Sequence, residues 1–152
     1  MKRSTLGLVV AAAFVAVAGL SFAWRAEAEP DVRVYRSATC GCCKGWAKHL
    51  ERNGFSVQVI DLDDLGAKKT ELGIPRKLAS CHTAEVGGFI VEGHVPASDV
   101  KRLLEERPDV RGLAVPDMPE GSPGMEGPNP ERYTVWAFQP DGSAEAFAQH
   151  GP

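Results

Sequence analysis

The chain has 152 residues, enough for one domain, and carries 17 basic and 20 acidic side chains for a net charge of −3. A mildly acidic chain lacks the basic surface that nucleic acid or an anionic membrane requires, so we predict neither as a partner. Three of its four cysteines lie between Cys40 and Cys43, which makes this run the first candidate for chemistry.

Residues 1–28 predict an export signal that is removed from the mature protein. A basic pair, Lys2-Arg3, precedes an unbroken run of apolar and small residues from Leu6 to Leu20. Residues 26–28 read Ala-Glu-Ala, a typical cleavage site. An uncleaved membrane anchor is the alternative, although the run is slightly short for a membrane span. We therefore predict export to the periplasm and no membrane attachment after cleavage.

The predicted mature domain, residues 29–152, alternates strand and helix patterns. In chain order these are a strand over 32–36, a helix over 42–52, a strand over 55–60, a helix capped within 61–64 and ending at 72, strands over 80–86 and 89–92, and a helix from 96 to 107. This β-α-β-α-β-β-α order predicts an α/β domain with a thioredoxin-like fold, whose first strand–helix–strand unit is parallel. That fold places its active site at the start of the first helix, where the cysteine run falls.

The C-terminal part has a different composition. The segment 112–130 is rich in Pro and Gly, and we predict no regular helix or strand over 115–128. It contains Met118 and Met125, the only methionines after the initiator. Two further strands, 133–139 and 144–149, flank a Pro-Asp-Gly turn and predict a hairpin extension.

The cysteine run predicts reactive or metal-binding thiols. The N-terminus of a helix lowers thiol pKa and favours the thiolate, which attacks disulfides and binds soft metals. Two structural disulfides would be the default for four cysteines in an exported protein. However, Cys42 and Cys43 are adjacent and Cys40 is two residues away, so pairing with Cys81 could satisfy only one of them. Cys40 and Cys43 also form a Cys-x-x-Cys pair, which we predict to be the catalytic thiols.

One histidine-containing segment is predicted to face this run, and a histidine elsewhere is a further candidate ligand. In thioredoxin-like folds the loop before the third strand lies opposite the first helix, and here it reads Ser80-Cys81-His82 in place of the usual cis-proline. This placement predicts Cys81 as a ligand and leaves His82 open between a ligand and an ordinary exposed side chain. His94, at the end of the fourth strand, is either a ligand or a surface or capping histidine. The other histidines, His49 and His150, are predicted to be solvated.

The combined donor set selects the metal. Thiolate, thioether and imidazole are soft or intermediate donors, and outside the cytoplasm they suit Cu(I) best. Met118 and Met125 lie in a Pro/Gly-rich loop, where methionine has less reason to fill a core. A four-cysteine zinc site is the alternative, but it would leave these methionines without a role. Calcium and magnesium are not supported, because they require oxygen ligands.

Four segments together resemble one family, the CopG-like periplasmic copper proteins. They are Thr-Cys-Gly-Cys-Cys at 39–43, Ser-Cys-His-Thr at 80–83, Gly-His-Val-Pro at 93–96 and Met-Pro-x-Gly-Ser-Pro-Gly-Met at 118–125. The resemblance covers roughly 32 to 149. It implies a thioredoxin-like fold and a role in copper resistance through interconversion of Cu(I) and Cu(II).

The resemblance also implies ligands. Cys40, Cys42 and Cys43 carry over as the core copper ligands. A second group carries over as surrounding ligands or redox partners: Cys81, His94, Met118 and Met125.

Three functions follow as hypotheses. The first is a copper oxidoreductase, with copper ions and other periplasmic copper-handling proteins as its partners. The second is a copper chaperone or buffer without turnover. The third is a thiol–disulfide oxidoreductase that uses Cys40 as nucleophile and Cys43 as resolving thiol. For the copper-free form we predict a disulfide between Cys81 and one thiol of the run, which must be reduced before Cu(I) binds.

Overall fold

A seven-stranded mixed sheet forms the centre of the part of the chain that the computed structural model describes, residues 29–152. The predicted export signal, 1–28, lies outside the described residues. The elements in chain order are β1 Val32–Arg36, α1 Gly41–Arg52, β2 Val57–Asp61, α2 Leu65–Glu71, a 3₁₀ turn Arg76–Leu78, β3 His82–Val86, β4 Phe89–Gly93, α3 Ala97–Glu106, β5 Gly112–Val115, β6 Tyr133–Phe138 and β7 Ala144–His150.

The strands are arranged in the order β2-β1-β3-β4-β5-β6-β7. Strand β1 pairs in parallel with β2, as the predicted strand–helix–strand unit requires, and antiparallel with β3. The β3–β4 and β6–β7 pairs are antiparallel hairpins, and both were predicted from their turns. The β-α-β-α-β-β-α element order is therefore present in a mixed α/β fold.

Strand β5 was not predicted from the sequence. The sequence analysis assigned no element to 112–114 and predicted irregular structure from 115, yet Gly112–Val115 is a fully buried strand that runs parallel to β4. Gly112 is a poor strand former, but a Cβ at this position would collide with the carbonyl of Ile90 on β4. The close approach of the two backbones therefore explains both the glycine and the missed strand.

Helix α1 is anchored by one apolar face, which sets the position of the cysteine run. Trp46, Ala47 and Leu50 are buried as predicted, and full burial of a large apolar side chain contributes about 1.5–3 kcal/mol. The indole Nε1 of Trp46 donates to the carbonyl of Val95 at 2.8 Å, so its polar atom is satisfied. Across residues 29–152 no helix has the length and apolar character needed to cross a membrane.

Candidate metal centre

The start of helix α1 presents three cysteines at one point above the sheet. Cys40 is the N-cap residue, and its Sγ accepts a hydrogen bond from the backbone N–H of Cys43 at 3.3 Å. The first turn contains no acidic residue, so the helix dipole favours negative charge on these thiols. Beneath them the buried guanidinium of Arg36 donates to the Cys40 carbonyl at 2.9 Å and pairs with Asp61 at 2.8 Å.

The disulfide in the structure joins Cys40 to Cys43, while Cys42 and Cys81 are free thiols. The predicted disulfide between Cys81 and the run is therefore wrong for this state. The Cα atoms of Cys40 and Cys43 are 5.5 Å apart because the helix turns between them, and this separation is typical of disulfides. A disulfide within the run thus forms without Cys81, the cysteine that precedes β3.

All four sulfur atoms lie within 4.8 Å of one another. The Sγ of Cys42 is 3.5 Å from that of Cys40 and 3.8 Å from that of Cys81. Sulfurs bound at about 2.3 Å in a tetrahedral site would be about 3.8 Å apart, so these spacings fit a thiolate-bound metal ion. Because a metal binds thiolates, Cys40 and Cys43 must be reduced before they can serve as ligands.

His94 contacts the free thiol of Cys81. Its Nε2 lies 3.0 Å from the Cys81 Sγ, and its Nδ1 is 2.8 Å from the carbonyl of Pro123. A carbonyl accepts only, so Nδ1 carries the proton and donates, which leaves Nε2 as the donor atom for a metal. Burial lowers the pKa of His94, although the Pro123 carbonyl and Glu126 oppose this, and the neutral ring is the form that binds metals.

His82 is fully buried, which excludes the alternative of an exposed side chain. Its ring centroid is 4.5 Å from that of Trp46, and its Nδ1 is 3.3 Å from the Cys81 Sγ. Burial, then His94 and Lys69, hold the pKa of His82 well below its usual range. The backbone of Gly93 acts in the opposite direction and raises the pKa of His82, but by less than burial lowers it. The Nε2 atom of His82 has no hydrogen-bond partner among the described residues.

Cys81 is the thiol that joins the two groups of donors. It belongs to the four-sulfur group and also to a second group with His82 and His94. Burial, followed by the nearby Cys42, raises the pKa of Cys81 to about 12. The thiol therefore keeps its proton until a cation offsets the charge, and metal binding at this position would release that proton.

The segment between β5 and β6, residues 116–132, contains both methionines and is called the methionine loop; it packs against helix α1 but separates Met118 from Met125. Gly124, next to half-buried Met125, approaches so closely that a Cβ would lie 2.7 Å from the Cys42 carbonyl oxygen. Met118 is 47% exposed and lines a cleft of about 760 Å³ with Tyr133 and His150. No cysteine lines this cleft. The structure thus places Gly124, the neighbour of Met125, against the backbone of the first turn of α1, and it places Met118 in the cleft.

His49 and His150 were predicted to be solvated surface residues, but each ring makes a hydrogen bond to a distant part of the chain. The Nε2 of His49 accepts the N–H of Ala97 at 3.0 Å, which satisfies an unpaired donor at the start of α3. The Nε2 of His150 lies 2.6 Å from a carboxylate oxygen of Asp99. Both rings therefore tie other segments to α3, contacts that depend on tertiary structure and that no local pattern indicates.

The sequence analysis also missed a buried polar group beside Cys81. Glu92 on β4 is fully buried and forms an ion pair with Lys69 of α2. Burial raises the pKa of the Glu92 carboxyl, and Lys69, Thr83 and Ser80 oppose that rise. A lone acidic residue inside the apolar strand Phe89–Gly93 was the available signal, because carboxylates are seldom buried without a partner.

Four cysteine sulfurs and two neutral imidazoles that meet beside the start of α1 define a mixed α/β protein with a site suited to a soft metal. Comparison with solved structures finds "Copper resistance protein copG- Form 1" at 48% identity and a TM-score of 0.75, covering 82% of this chain and 100% of that one. Form 2 of the same protein matches at 47% identity and a TM-score of 0.75, covering 80% and 98%. The chain belongs to the CopG family of copper resistance proteins.

Two other comparisons complete the findings. The family described as "Protein of unknown function, DUF411" matches residues 78–125. That match includes Cys81, His94, Met118 and Met125 but not the cysteine run. None of the curated proteins matches the sequence.

Proposed function

We propose that this chain is an exported copper-binding oxidoreductase that interconverts Cu(I) and Cu(II) in copper resistance. The main support is the grouping of four sulfur atoms within 4.8 Å, with His94 3.0 Å from one of them. The proposed core ligands are the three thiols of the run, and the proposed surrounding ligands are Cys81, His94 and Met125. Met118 is proposed as a ligand only after a movement of its loop, because in the structure it lines a cleft that contains no cysteine. Sulfur favours Cu(I) and nitrogen tolerates Cu(II), so a mixed set permits both oxidation states.

The proposed scaffold is thioredoxin-like. Parallel pairing of β1 with β2, the cysteine run at the start of α1 and the position of Cys81 directly before β3 support this assignment. In such a fold the helix start supplies low-pKa thiols, while the opposite loop closes the site. Here the loop contributes a fourth thiol in place of proline, which favours metal binding over simple thiol exchange.

The Cys40–Cys43 pair can balance the electrons of copper reduction. The reduced dithiol gives one electron to each of two Cu(II) ions, loses two protons and forms the disulfide found in the structure. The products are two Cu(I) ions, for which the thiols Cys42 and Cys81 remain as ligands. An external dithiol would then reduce the disulfide by exchange, and the same couple in reverse would oxidise two Cu(I) ions.

Copper binding is tested by Cu(I) competition titration of the reduced protein. We expect the Cys40→Ser/Cys43→Ser variant to bind Cu(I) much more weakly than the wild type, because two of the four thiolates are lost. Lys44→Met is a control on the same helix turn that removes no donor atom. Equal Cu(I) affinity in the wild type and the double variant would contradict the proposed site.

Turnover separates an oxidoreductase from a chaperone or buffer. The reduced protein is mixed with Cu(II), and the Cu(I) produced is measured with a Cu(I)-selective chelator while disulfides are mapped by mass spectrometry. We expect two Cu(I) per Cys40–Cys43 disulfide formed, and repeated cycles when a dithiol is supplied. A protein that binds copper but completes no cycle would be a chaperone or buffer.

A thiol–disulfide oxidoreductase is the second candidate, favoured by the Cys-x-x-Cys disulfide at the N-terminus of α1. This function predicts that the copper-free protein catalyses insulin reduction through Cys40. Copper chelation would leave such activity unchanged, whereas copper binding would block it. If the copper-free protein shows no activity above free dithiothreitol, this candidate is excluded.

We propose further that residues 1–28 are a cleaved signal and that 29–152 is the mature periplasmic protein. Membership of a copper resistance family supports export, as does the signal pattern of the sequence. Partners would be copper ions and other periplasmic copper-handling proteins. Fractionation of cells with N-terminal sequencing of the mature chain tests this: a protein retained in the membrane with its N-terminus intact would indicate an anchor.

A further inference from the structure

A buried polar network lies behind Cys81. The carboxylate of Glu92 accepts hydrogen bonds from the backbone N–H of Ser80, at 2.6 Å, and from the hydroxyl of Thr83. It also pairs with the ammonium group of Lys69, which donates to the Thr83 hydroxyl at 2.8 Å. Three elements, α2, β4 and the segment entering β3, therefore meet at one carboxylate with 0% exposure.

The network anchors both sides of the Cys81-His82 pair. Ser80 is held through its N–H and Thr83 through its hydroxyl, and the two donor-bearing residues lie directly between them. Ser80 is also tied to the methionine loop, because its hydroxyl donates to the carbonyl of Asp117. The backbone that carries Cys81 is thus fixed on each side by a hydrogen bond to the same buried group.

A contribution to folding stability is a weak explanation for the buried ion pair of Glu92 and Lys69. Replacing a buried ion pair by apolar residues is often neutral or stabilising, because two charges no longer have to be desolvated. An apolar residue at 92, however, could not accept the Ser80 N–H. Outer groups that orient metal ligands typically change metal affinity about 10- to 100-fold when they are removed.

We propose that Glu92 is a positioning residue for the metal centre: through Ser80 and Thr83 it holds Cys81 and His82 toward Cys42. This inference rests on the copper binding proposed above. Lys69 supplies the counter-charge that keeps the acceptor in place, and neither residue contacts the metal. Loss of the acceptor at 92 therefore loosens Cys81 without removing a ligand.

The test compares two double variants that both lack the ion pair. Lys69→Met/Glu92→Gln keeps an amide oxygen that can accept the Ser80 N–H, whereas Lys69→Met/Glu92→Leu has no acceptor. Lys68→Met is the control for a change on α2, since its ion pair with Glu71 is solvent-accessible. Each reduced protein is measured for Cu(I) affinity by competition, for thermal stability, and for the rate of Cys81 alkylation without metal.

We expect the leucine variant to bind Cu(I) about 10- to 100-fold more weakly than the glutamine variant. Its Cys81 should be alkylated several-fold faster, while the glutamine variant and Lys68→Met stay close to the wild type. Equal Cu(I) affinity and equal Cys81 reactivity in the two double variants would overturn the proposal. Wild-type protein that binds no Cu(I) would instead refute the proposed function, and the alkylation rates would still test the positioning role.

A second variant covers the case in which the leucine variant does not fold. Thr83→Val removes the other anchor and changes the side-chain volume little. We expect weaker Cu(I) binding and faster Cys81 alkylation in this variant as well. Wild-type values for both quantities in folded Thr83→Val would overturn the role of the network.

Discussion

Replacing Gly124 by alanine should push the methionine loop away from helix α1 and disturb His94. A Cβ at this position would lie 2.7 Å from both the carbonyl oxygen of Cys42 and the backbone nitrogen of Trp46, where ordinary contacts begin at 3.4 Å. Both atoms belong to the backbone of α1 and cannot rotate aside. The loop must therefore retreat by about 0.7 Å, the difference between these distances.

The expected cost has two parts. Gly124 has φ +87°, and a left-handed conformation costs an L-residue about 1–2 kcal/mol. Overpacking adds about 1–3 kcal/mol, so we expect a total loss of about 2–5 kcal/mol. At about 2–4 °C per kcal/mol for a protein of this size, the Tm should fall by roughly 4–20 °C.

The same retreat should weaken copper binding. Pro123 precedes Gly124, and its carbonyl lies 2.8 Å from His94 Nδ1, so a shift of about 0.7 Å takes this contact beyond normal hydrogen-bond length. We expect about a tenfold loss of Cu(I) affinity, the lower end for an outer contact to a metal-binding histidine. Thermal unfolding and Cu(I) competition of the reduced protein measure the two effects.

Gly54→Ala is the matched control. Gly54 has a similar φ of +94°, and a Cβ there would meet no atom within 4 Å. It should therefore show only the backbone cost, about 1–2 kcal/mol, with unchanged Cu(I) affinity. If Gly124→Ala proves no more destabilising than Gly54→Ala and binds Cu(I) normally, the loop does not pack on α1 as described.

Three further predictions concern the helix and its thiols. Trp46→Phe leaves the carbonyl of Val95 without its donor, so urea unfolding should show a loss of about 1–3 kcal/mol, and a loss below 0.5 kcal/mol would contradict this role. Cys42→Ser removes the sulfur that lies 3.5 Å from that of Cys40 and 3.8 Å from that of Cys81, so Cu(I) affinity should fall more than in any variant outside the ligand set, and a smaller effect would count against Cys42 as a ligand. Oxidised protein with the Cys40–Cys43 disulfide should bind fewer Cu(I) ions than reduced protein, and equal stoichiometry by metal analysis would show that these two thiols are not ligands.

Local patterns predicted most of the fold. Apolar periodicity identified α1 and its buried face, and a capping carboxylate within 61–64 is present as Asp64, which accepts the N–H of Ala67 at 2.9 Å. The Gly-Gly and Pro-Asp-Gly turns predicted two hairpins correctly. Strand β5 was missed because its first residue, Gly112, is required by the packing of one backbone on another rather than by strand propensity.

The candidate site was predictable to the level of residue groups. Topology brought Cys81 opposite the cysteine run, and its sulfur is 3.8 Å from that of Cys42. The disulfide partner was predicted wrongly, because the sequence does not give the distances between the sulfur atoms of the run and that of Cys81. Glu92 and Lys69 were missed because 23 residues separate them and their contact exists only in the folded chain.

The central claim is that thiols and an imidazole at the start of α1 bind copper. X-ray absorption of the reduced, copper-loaded protein tests it most directly, because the spectrum reports the atoms bound to the metal. We predict mainly sulfur ligation with a nitrogen contribution that is lost in His94→Gln, and a large loss of the sulfur signal in Cys40→Ser/Cys43→Ser. A spectrum dominated by nitrogen and oxygen, and unchanged in both variants, would contradict the claim.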